Sequence, residues 1–419
     1  MQQILILGAG KSSTALIDYL VELAPAQNWE VVVADVSSDI AFQKTKGRSH
    51  TRAIAFSLNN HEERSALISA ADVVVSMLPA ALHLSIAADC LKWNKNLVTP
   101  SYIAPAMMEM DQAVREQGLI FMNEMGLDPG IDHMSALEIL DQLRQEGATV
   151  TSYRSHCGGL VASACDDNSW HYKFSWNPRN VVLAGQGAGG MHWLENGRSC
   201  EISYEQLFET LRTIDLGSKG VYESYPNRDS LKYIDAYGLN GVKTMYRGTL
   251  RVPPFCRGWQ QLVKAGLTDA NRPYQFRSEE NFEESLRPML REIGIFDPSN
   301  FHSNRSAADD LQALLESRWA MKPNDRDLVV MVHEVEYTKN GQQYQLQSSL
   351  VIEGRDNVHT AMALTVGLPV AIVVKMILTK QLTATGVLMP NFKEVYQPVM
   401  KELAALGICF EEKINVYAA

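Results

Sequence analysis

Gln2-Gln3-Ile4-Leu5-Ile6-Leu7-Gly8-Ala9-Gly10-Lys11-Ser12-Ser13 opens the chain, and this stretch decides the fold. An apolar run leads directly into a glycine turn, and the helix-like segment 14–20 follows. This order of strand, turn and helix is the context that a dinucleotide-binding fingerprint requires. Gly8 permits the tight turn, and Gly10 lets the backbone approach a pyrophosphate at the helix N-terminus. Ser13 replaces the usual third glycine or alanine, so we interpret the turn as a variant of the fingerprint.

The second apolar run, 29–35, ends in Asp35, where folds of this kind place the carboxylate that binds a ribose hydroxyl. The alternative is a structural turn, because Asp-Val-Ser-Ser-Asp is also good turn chemistry. Together with the glycine turn, Asp35 predicts dinucleotide binding.

Composition limits the classes of protein that this chain can represent. Its 419 residues predict two or three domains, and its 46% hydrophobic content is typical of a globular protein. A formal net charge of −10 argues against a nucleic-acid partner. The six cysteines show no metal-type pairing, so we expect reduced thiols, no bound metal and a cytoplasmic location.

No segment predicts a signal peptide or a membrane span. The first apolar segment is a short strand that ends in glycines, and the apolar stretch from Ala361 is interrupted by Gly367, Pro369 and Lys375. We expect that stretch to form a buried helix and the protein to have no membrane partner.

Short apolar runs alternate with helical stretches up to residue 128, which predicts a doubly wound parallel sheet. Ligands bind beyond the carboxyl ends of such strands. The strands are expected at 3–7, 30–34, 52–56, 72–77, 96–99 and 119–122. The predicted cofactor contacts along this edge are Gly8, Ala9, Gly10, Lys11, Ser12, Asp35, Ser57, Met77 and Leu78.

The second half of the chain has a different pattern. A strand at 150–157 is followed by a glycine loop at 158–159, and Asn340-Gly341 predicts a hairpin between 328–337 and 344–347. These strands are expected to form an antiparallel-rich sheet. A helical insertion that caps the site is expected from helices at 203–213, 258–267, 279–293 and 306–320.

Several residues are candidates for chemistry. Asp128 follows the sixth strand and is expected to face the cofactor crevice. Cys157 is either a reactive thiol or a small buried apolar residue. Arg228 and Arg251 can each bind a carboxylate with two hydrogen bonds, although residue type alone favours surface ion pairs.

Longer blocks resemble saccharopine reductase, the saccharopine dehydrogenase that forms L-glutamate. The match extends in order through Val366-Gly367-Leu368-Pro369, so it covers essentially the whole chain. The blocks are Ser101-Tyr102, 123–133, Cys157-Gly158-Gly159-Leu160, Tyr172-Lys173-Phe174-Ser175-Trp176, Pro226-Asn227-Arg228-Asp229-Ser230 and Gly248-Thr249-Leu250-Arg251.

The resemblance implies a homodimer of lysine metabolism with a variant Rossmann domain, a mixed α/β substrate and dimerisation domain, and a helical domain. The expected divisions are 1–128 completed by 355–395, then 129–205 with 327–354, and a helical lid at 206–326. The implied catalytic residues are Tyr102, Asp128 and Cys157. Implied substrate contacts are Ser101, Tyr102, Asp128, Arg228, Thr249, Leu250 and Arg251. Leu127, Pro129 and Ser175 join the cofactor contacts.

The resemblance implies use of NAD(P) to interconvert saccharopine with L-glutamate and 2-aminoadipate 6-semialdehyde. Relatives that use NADP tend to have Cys-Arg-Thr where this chain has Ala34-Asp35-Val36. An acid there repels a 2′-phosphate and favours NAD, unless Lys46 and Arg48 offset it.

Two alternatives stay open. One is a dehydrogenase of the carboxyspermidine or carboxynorspermidine type, which would need acids rather than two arginines around its diamine. The other is a non-catalytic dinucleotide-binding regulator.

Overall fold

The computed structural model describes residues 1–186 and 190–417. All six strands expected before residue 128 are present, within one or two residues of their predicted limits. The strands are β1 Gln2–Leu7, β2 Trp29–Asp35, β3 Thr51–Ala55, β4 Val73–Ser76, β5 Asn96–Val98, β6 Ile120–Met122, β7 Thr149–Val161, β8 Met191–Glu195, β9 Arg198–Ile202, β10 Arg212–Asp215, β11 Val221–Pro226, β12 Thr244–Arg251, β13 Asp327–Lys339, β14 Gln342–Glu353, β15 Gly386–Leu388 and β16 Glu411–Val416.

α-Helices lie between many of these strands. They are α1 Thr14–Gln27, α2 Ser38–Thr45, α3 His61–Ala70, α4 His83–Lys92, α5 Pro105–Met108, α6 Asp111–Glu116, α7 Ile131–Gln145, α8 Pro178–Val182, α9 Tyr233–Ala236, α10 Phe255–Ala265, α11 Arg287–Glu292, α12 Ala307–Arg318, α13 Ala361–Leu378 and α14 Lys393–Ala405.

The chain divides into two compact units. Unit 1 comprises 1–141 and 358–409, and unit 2 comprises 142–357 and 410–419. The expected division into three parts, with 206–326 as a separate lid, stays a prediction.

Unit 1 is built on a seven-stranded sheet in the order β15-β6-β5-β4-β1-β2-β3. All neighbouring strands are parallel. The central strands are apolar throughout because helices cover both faces of a doubly wound sheet. This arrangement confirms the predicted Rossmann-type α/β class, with β15 as an additional edge strand supplied by the C-terminal part of the chain.

The long apolar segment at 361–378 forms the buried helix α13. It is long and apolar enough to cross a membrane, but 83% of it is buried within the protein. Gly367 explains part of its packing, since a Cβ atom there would lie 2.8 Å from the backbone nitrogen of Leu16 in α1. The absent side chain therefore allows α13 and α1 to approach closely.

Unit 2 is built on a nine-stranded mixed sheet, whose main path is β10-β11-β12-β7-β13-β14-β16. The predicted hairpin is confirmed as β13 and β14, with Asn340 and Gly341 both at positive φ in its turn. The strands are mostly antiparallel, and β12 with β7 is the parallel pair.

Some local predictions in unit 2 are wrong. Gly158 and Gly159 lie inside β7 rather than in a loop, and a Cβ atom at Gly158 would lie 2.7 Å from the Leu250 carbonyl oxygen. The expected helix at 203–213 is a short 3-10 turn followed by β10, and 279–293 contains two 3-10 turns before α11. The helices expected at 258–267 and 306–320 correspond to α10 and α12.

Candidate functional site

The carboxyl ends of the parallel strands in unit 1 bring together the residues expected to bind a cofactor. The glycine turn follows β1, Asp35 ends β2 and Ser57 follows β3. Met77 and Leu78 follow β4, and both are half-buried. Because the strands are parallel, these segments share one edge of the sheet.

The glycine turn fits a dinucleotide. Gly8 has a φ of +101°, and a Cβ atom there would lie 3.0 Å from the Met77 carbonyl oxygen. At Gly10 a Cβ atom would meet no atom within 4 Å, so the backbone of the turn is open on that side. The N-terminal turn of α1 follows directly, with Lys11 and Ser12 in the connecting 3-10 turn. Exposed backbone at a helix N-terminus is suited to a pyrophosphate.

Asp35 links the second strand to this turn. Its Oδ2 atom accepts a hydrogen bond of 2.7 Å from the backbone N–H of Ala9, and its Oδ1 accepts one of 3.4 Å from Ser37. The carboxylate is therefore fixed beside the glycine turn, where it can also accept bonds from a ribose.

Tyr102 and Asp128 form a pair. The Tyr102 hydroxyl donates to Oδ1 of Asp128 at 2.8 Å, and both side chains are half-buried. They come from the segments after β5 and β6, which are neighbouring strands. The sequence predicted both residues individually, and the structure shows that they are hydrogen-bonded to each other.

The loop that carries Asp128 is tightly closed. The Gly126 N–H donates to the Pro129 carbonyl at 2.9 Å, and Ile131 N–H donates back to the Gly126 carbonyl at 2.9 Å. Gly130 has a φ of +144°, and a Cβ atom there would lie 2.0 Å from the Gly126 carbonyl oxygen. Only glycine fits this position.

Buried carboxylate and imidazole side chains hold the same region in place. His133 Nε2 lies 2.8 Å from a Glu124 carboxylate oxygen, and its Nδ1 lies 3.6 Å from Asp132. Glu124 accepts from the Ile103 N–H at 3.1 Å, and Asp132 accepts from the Gly130 N–H at 2.6 Å. These bonds fix the residues next to Tyr102 and Asp128, so the contacts of Asp132 and His133 are those of structural residues.

His83 is a site-edge residue that the sequence analysis missed. Its Nδ1 lies 2.8 Å from the Ser76 hydroxyl, and its Nε2 lies 2.7 Å from Ser101 and 3.1 Å from Thr99. Burial lowers the pKa of His83 to about 4. The imidazole is therefore neutral at physiological pH and connects the ends of β4 and β5. No spacing motif identifies such a histidine, although its position shortly after the predicted cofactor contacts Met77 and Leu78 was a usable signal.

In unit 2, Cys157 and Thr249 are register partners on the parallel strands β7 and β12. Cys157 is 7% exposed, and Thr249 is half-buried. Leu250 points its side chain into an apolar cluster with Leu160 and Val330, so a ligand could use only its backbone.

Arg251 is the most unusual group in unit 2. It is 3% exposed, and no carboxylate forms an ion pair with it among the residues that the structure describes. Its guanidinium lies 5.2 Å from the ring centroids of Tyr172 and Phe255, and 5.7 Å from that of Tyr225. One N–H bonds to the Leu250 carbonyl at 2.8 Å, but the buried Nε has no hydrogen-bond partner in the described chain.

This environment contradicts the interpretation of Arg251 as a surface ion-pair partner. Burying an arginine without a counter-charge is costly. An anionic ligand would supply the missing charge and satisfy the remaining N–H groups. Cys157 is among the groups that interact electrostatically with Arg251, so the two predicted residues lie in the same region of unit 2.

Arg228 and Ser175 have different environments. Arg228 is exposed and adopts a φ of +51° in the segment after β11, where its carbonyl accepts from His192. Ser175 is 1% exposed, and its hydroxyl has no hydrogen-bond partner in the described part of the chain. A buried hydroxyl of this kind is available to a ligand.

Lys173 anchors the segment 165–168 through two ion pairs. The lysine is 3% exposed, and its Nζ lies 2.8 Å from Asp167 and 2.7 Å from Asp325. Lys173 and Lys322 lower the pKa of Asp167 to about 2. This ion-pair group fixes residues 165–168 against the start of β13.

Among residues 1–186 and 190–417, no cluster of three or more histidine, cysteine or acidic side chains could hold a metal ion. All six cysteines are free thiols.

Comparisons with known proteins assign the chain to one family in both its N-terminal and its C-terminal part. Residues 4–122 match the saccharopine dehydrogenase NADP-binding domain, and residues 126–408 match the saccharopine dehydrogenase C-terminal domain.

Individual relatives match over the whole chain. The chain is 31% identical to saccharopine dehydrogenase [NADP(+), L-glutamate-forming] of Pyricularia oryzae, over 99% of both chains. It is 30% identical to mouse mitochondrial alpha-aminoadipic semialdehyde synthase, over 99% of this chain but 48% of that protein. The structure of apo saccharopine dehydrogenase (L-Glu forming) from Saccharomyces cerevisiae superposes with a TM-score of 0.87 at 30% identity, covering 99% of this chain and all of that one.

Proposed function

The chain belongs to the saccharopine dehydrogenase family, and we propose that it is an NAD(P)-dependent oxidoreductase acting on saccharopine. The reaction converts saccharopine, NAD(P)+ and water to L-glutamate, 2-aminoadipate 6-semialdehyde, NAD(P)H and a proton. In the opposite direction, the amine of glutamate condenses with the aldehyde, and the resulting C=N bond is reduced.

The observation that carries this proposal is the unpaired buried charge of Arg251. Saccharopine has three carboxylates, and a buried guanidinium without an acidic partner is suited to one of them. Arg228, Ser101, Thr249 and the backbone of Leu250 are proposed as further substrate contacts. A diamine substrate would gain nothing from Arg251, because both would be positively charged.

Proton transfer is assigned to Tyr102 and Asp128. Oxidation at the C–N bond removes a hydride from carbon and a proton from nitrogen, and hydrolysis of the resulting imine moves further protons. The 2.8 Å bond between the Tyr102 hydroxyl and Asp128 provides a hydroxyl and a carboxylate that can exchange a proton directly or through water. Cys157 is proposed to lie next to the reacting group.

The bound nicotinamide dinucleotide supplies the hydride chemistry. The open backbone at Gly10, the α1 N-terminus and Asp35 are proposed to hold its pyrophosphate and ribose, and Ser175 is proposed as a further cofactor contact. The protein's own contribution is to orient the dinucleotide and to hold the proton.

The experiment measures the increase in absorbance of the reduced nicotinamide when saccharopine is added, with NAD+ and NADP+ tested separately. We expect turnover with at least one cofactor, and the reverse reaction with glutamate and the semialdehyde. Tyr102→Phe and Asp128→Asn should lower kcat by about 10²- to 10⁴-fold, the usual contribution of a positioned acid or base. No turnover by wild-type protein with either cofactor would leave the non-catalytic regulator as the better interpretation.

We also propose a cytoplasmic homodimer. The six free thiols are consistent with a reducing compartment. The edge strand β16 exposes Ile414 and Val416, which a second copy would cover. Light scattering on the purified protein should give twice the 46.7 kDa chain mass.

A further inference from the structure

We propose that this protein selects NAD(H) over NADP(H), and that Asp35 determines the selection. This inference rests on the use of a nicotinamide dinucleotide in the proposed function. It differs from the printed names of the fungal relatives, which specify NADP(+).

Asp35 lies where it would meet the ribose of a bound dinucleotide. The residue ends β2, and its carboxylate is fixed by the Ala9 N–H at 2.7 Å, beside the turn that is suited to the pyrophosphate. In doubly wound folds an acid at this position binds the ribose hydroxyls of NAD. The additional phosphate of NADP would be attached to that ribose and would meet a negative charge already held in place.

The start of α2, the helix that follows β2, also carries negative charge. Asp39 lies in the first turn of this helix, and Ser37 caps it by accepting from the Ile40 N–H. Asp39 adds a second negative charge at the helix N-terminus, and this charge counteracts the attraction of the terminus for a phosphate.

Lys46 and Arg48, which the sequence suggested could offset Asp35, lie beyond the other end of α2, and the nearby Lys44 ammonium donates to the Thr14 hydroxyl of α1. The helix has eight residues, which corresponds to about 12 Å at 1.5 Å per residue. Arg48 donates to Asp18 at 2.7 Å and to the carbonyl oxygens of Thr45 and Lys44 at 3.0 Å. Its guanidinium is thus bound to α1 and to the end of α2.

Lys11 remains as a cation in the glycine turn itself. A lysine at this position is suited to the pyrophosphate, which NAD and NADP share. It should therefore contribute to the affinity for both nucleotides and not to the difference between them.

The test measures dissociation constants for NADH and NADPH by nucleotide fluorescence, without substrate. Wild-type protein should bind NADH at least about tenfold more tightly, because like charges placed together cost several kcal/mol and 1.4 kcal/mol is tenfold. Asp35→Asn keeps an oxygen acceptor for Ala9 and removes the charge, so it should reduce the ratio by about tenfold. Asp39→Asn, an exposed change, should reduce it less. Lys11→Ala should raise the dissociation constants for NADH and NADPH by the same factor.

Equal or tighter binding of NADPH by the wild type would overturn the inference, as would an unchanged ratio in a folded Asp35→Asn variant. If Lys11→Ala weakens NADPH alone, the lysine rather than Asp35 controls selection, which also overturns it. Because binding is measured without saccharopine, selective NADH binding without turnover would contradict the proposed function and leave this inference standing.

Discussion

Arg251→Met should separate a ligand-binding role from a structural one. Methionine has a similar length and is apolar, so it removes the charge with little loss of volume. If Arg251 binds a substrate carboxylate, the variant loses a charged hydrogen bond worth about 1.5–3 kcal/mol. Since 1.4 kcal/mol is tenfold, KM for saccharopine should rise by about 10- to 150-fold.

The effect on stability should be small. Arg251 is stabilised by three aromatic rings at 5.2–5.7 Å, each worth about 0.5–2 kcal/mol. Against these contacts stands a desolvation cost of several kcal/mol for a buried charge without an acidic partner. The two contributions are similar in size, so the free energy of unfolding should change by less than about 1 kcal/mol, and it can increase.

Arg154→Met is the matched control. Arg154 also lies on the unit 2 sheet, but its guanidinium is 3.1 Å from both Glu195 and Glu336. Its replacement removes a partner from two carboxylates and should lower stability by about 2 kcal/mol. The assays are saccharopine KM and equilibrium denaturation. A KM within twofold of wild type for Arg251→Met, or a loss of stability as large as that of Arg154→Met, would refute the role assigned to Arg251.

Gly130→Ala should lower the free energy of unfolding, measured by denaturant titration, by about 3 kcal/mol or more. The φ of Gly130 is +144°, and the new Cβ atom would lie 2.0 Å from the Gly126 carbonyl oxygen. The control Gly118→Ala should cost less, because Gly118 has a positive φ but open space around it. Lys173→Met should cost about 3 kcal/mol, mainly by leaving the buried Asp325 without its cation, since Asp167 keeps Lys322. A loss below about 1 kcal/mol in the same titration would contradict this. In the unfolded chain His83 is protonated near its ordinary pKa of 6.5, whereas burial lowers its pKa in the folded protein to about 4. The free energy of unfolding should therefore decrease as the pH is lowered from 6.5 to 4, by up to about 3 kcal/mol. His83→Gln should remove this contribution, and an unchanged pH dependence of Tm would show that His83 is not its source.

The parallel sheet could be predicted because its signals are local. Each central strand is a continuous apolar run, and the glycine turn and the Asn340-Gly341 turn mark chain reversals directly. β10 could not be predicted in the same way. Arg-Thr-Ile-Asp has no strong alternation, and it forms a strand by pairing with β11, a contact that composition does not specify.

The candidate site shows the same limit. Tyr102 and Asp128 were predicted from blocks of sequence, but their hydrogen bond depends on the closed loop at Gly130. The resemblance implied that Arg251 contacts the substrate, whereas residue type alone favoured a surface position, because most arginines are exposed. Its burial depends on Tyr172 and Tyr225 as well as on the nearby Phe255, and the two tyrosines come from separate segments, so the local pattern around Arg251 could not indicate it alone.

The pairing of charges distinguishes residues that support the fold from those that await a ligand. The buried Lys173 and the half-buried Arg154 each pair with two acids, as a structural cation away from water requires. Arg251 is as deeply buried as Lys173 and has no acidic partner in the described chain. Selection for stability alone would favour an apolar residue at that position, because burying the guanidinium costs more than a well-packed methionine. A bound anion would offset this cost. Burial alone or a guanidinium alone would say little about the substrate, but a buried guanidinium without an acidic partner favours a substrate that carries a carboxylate.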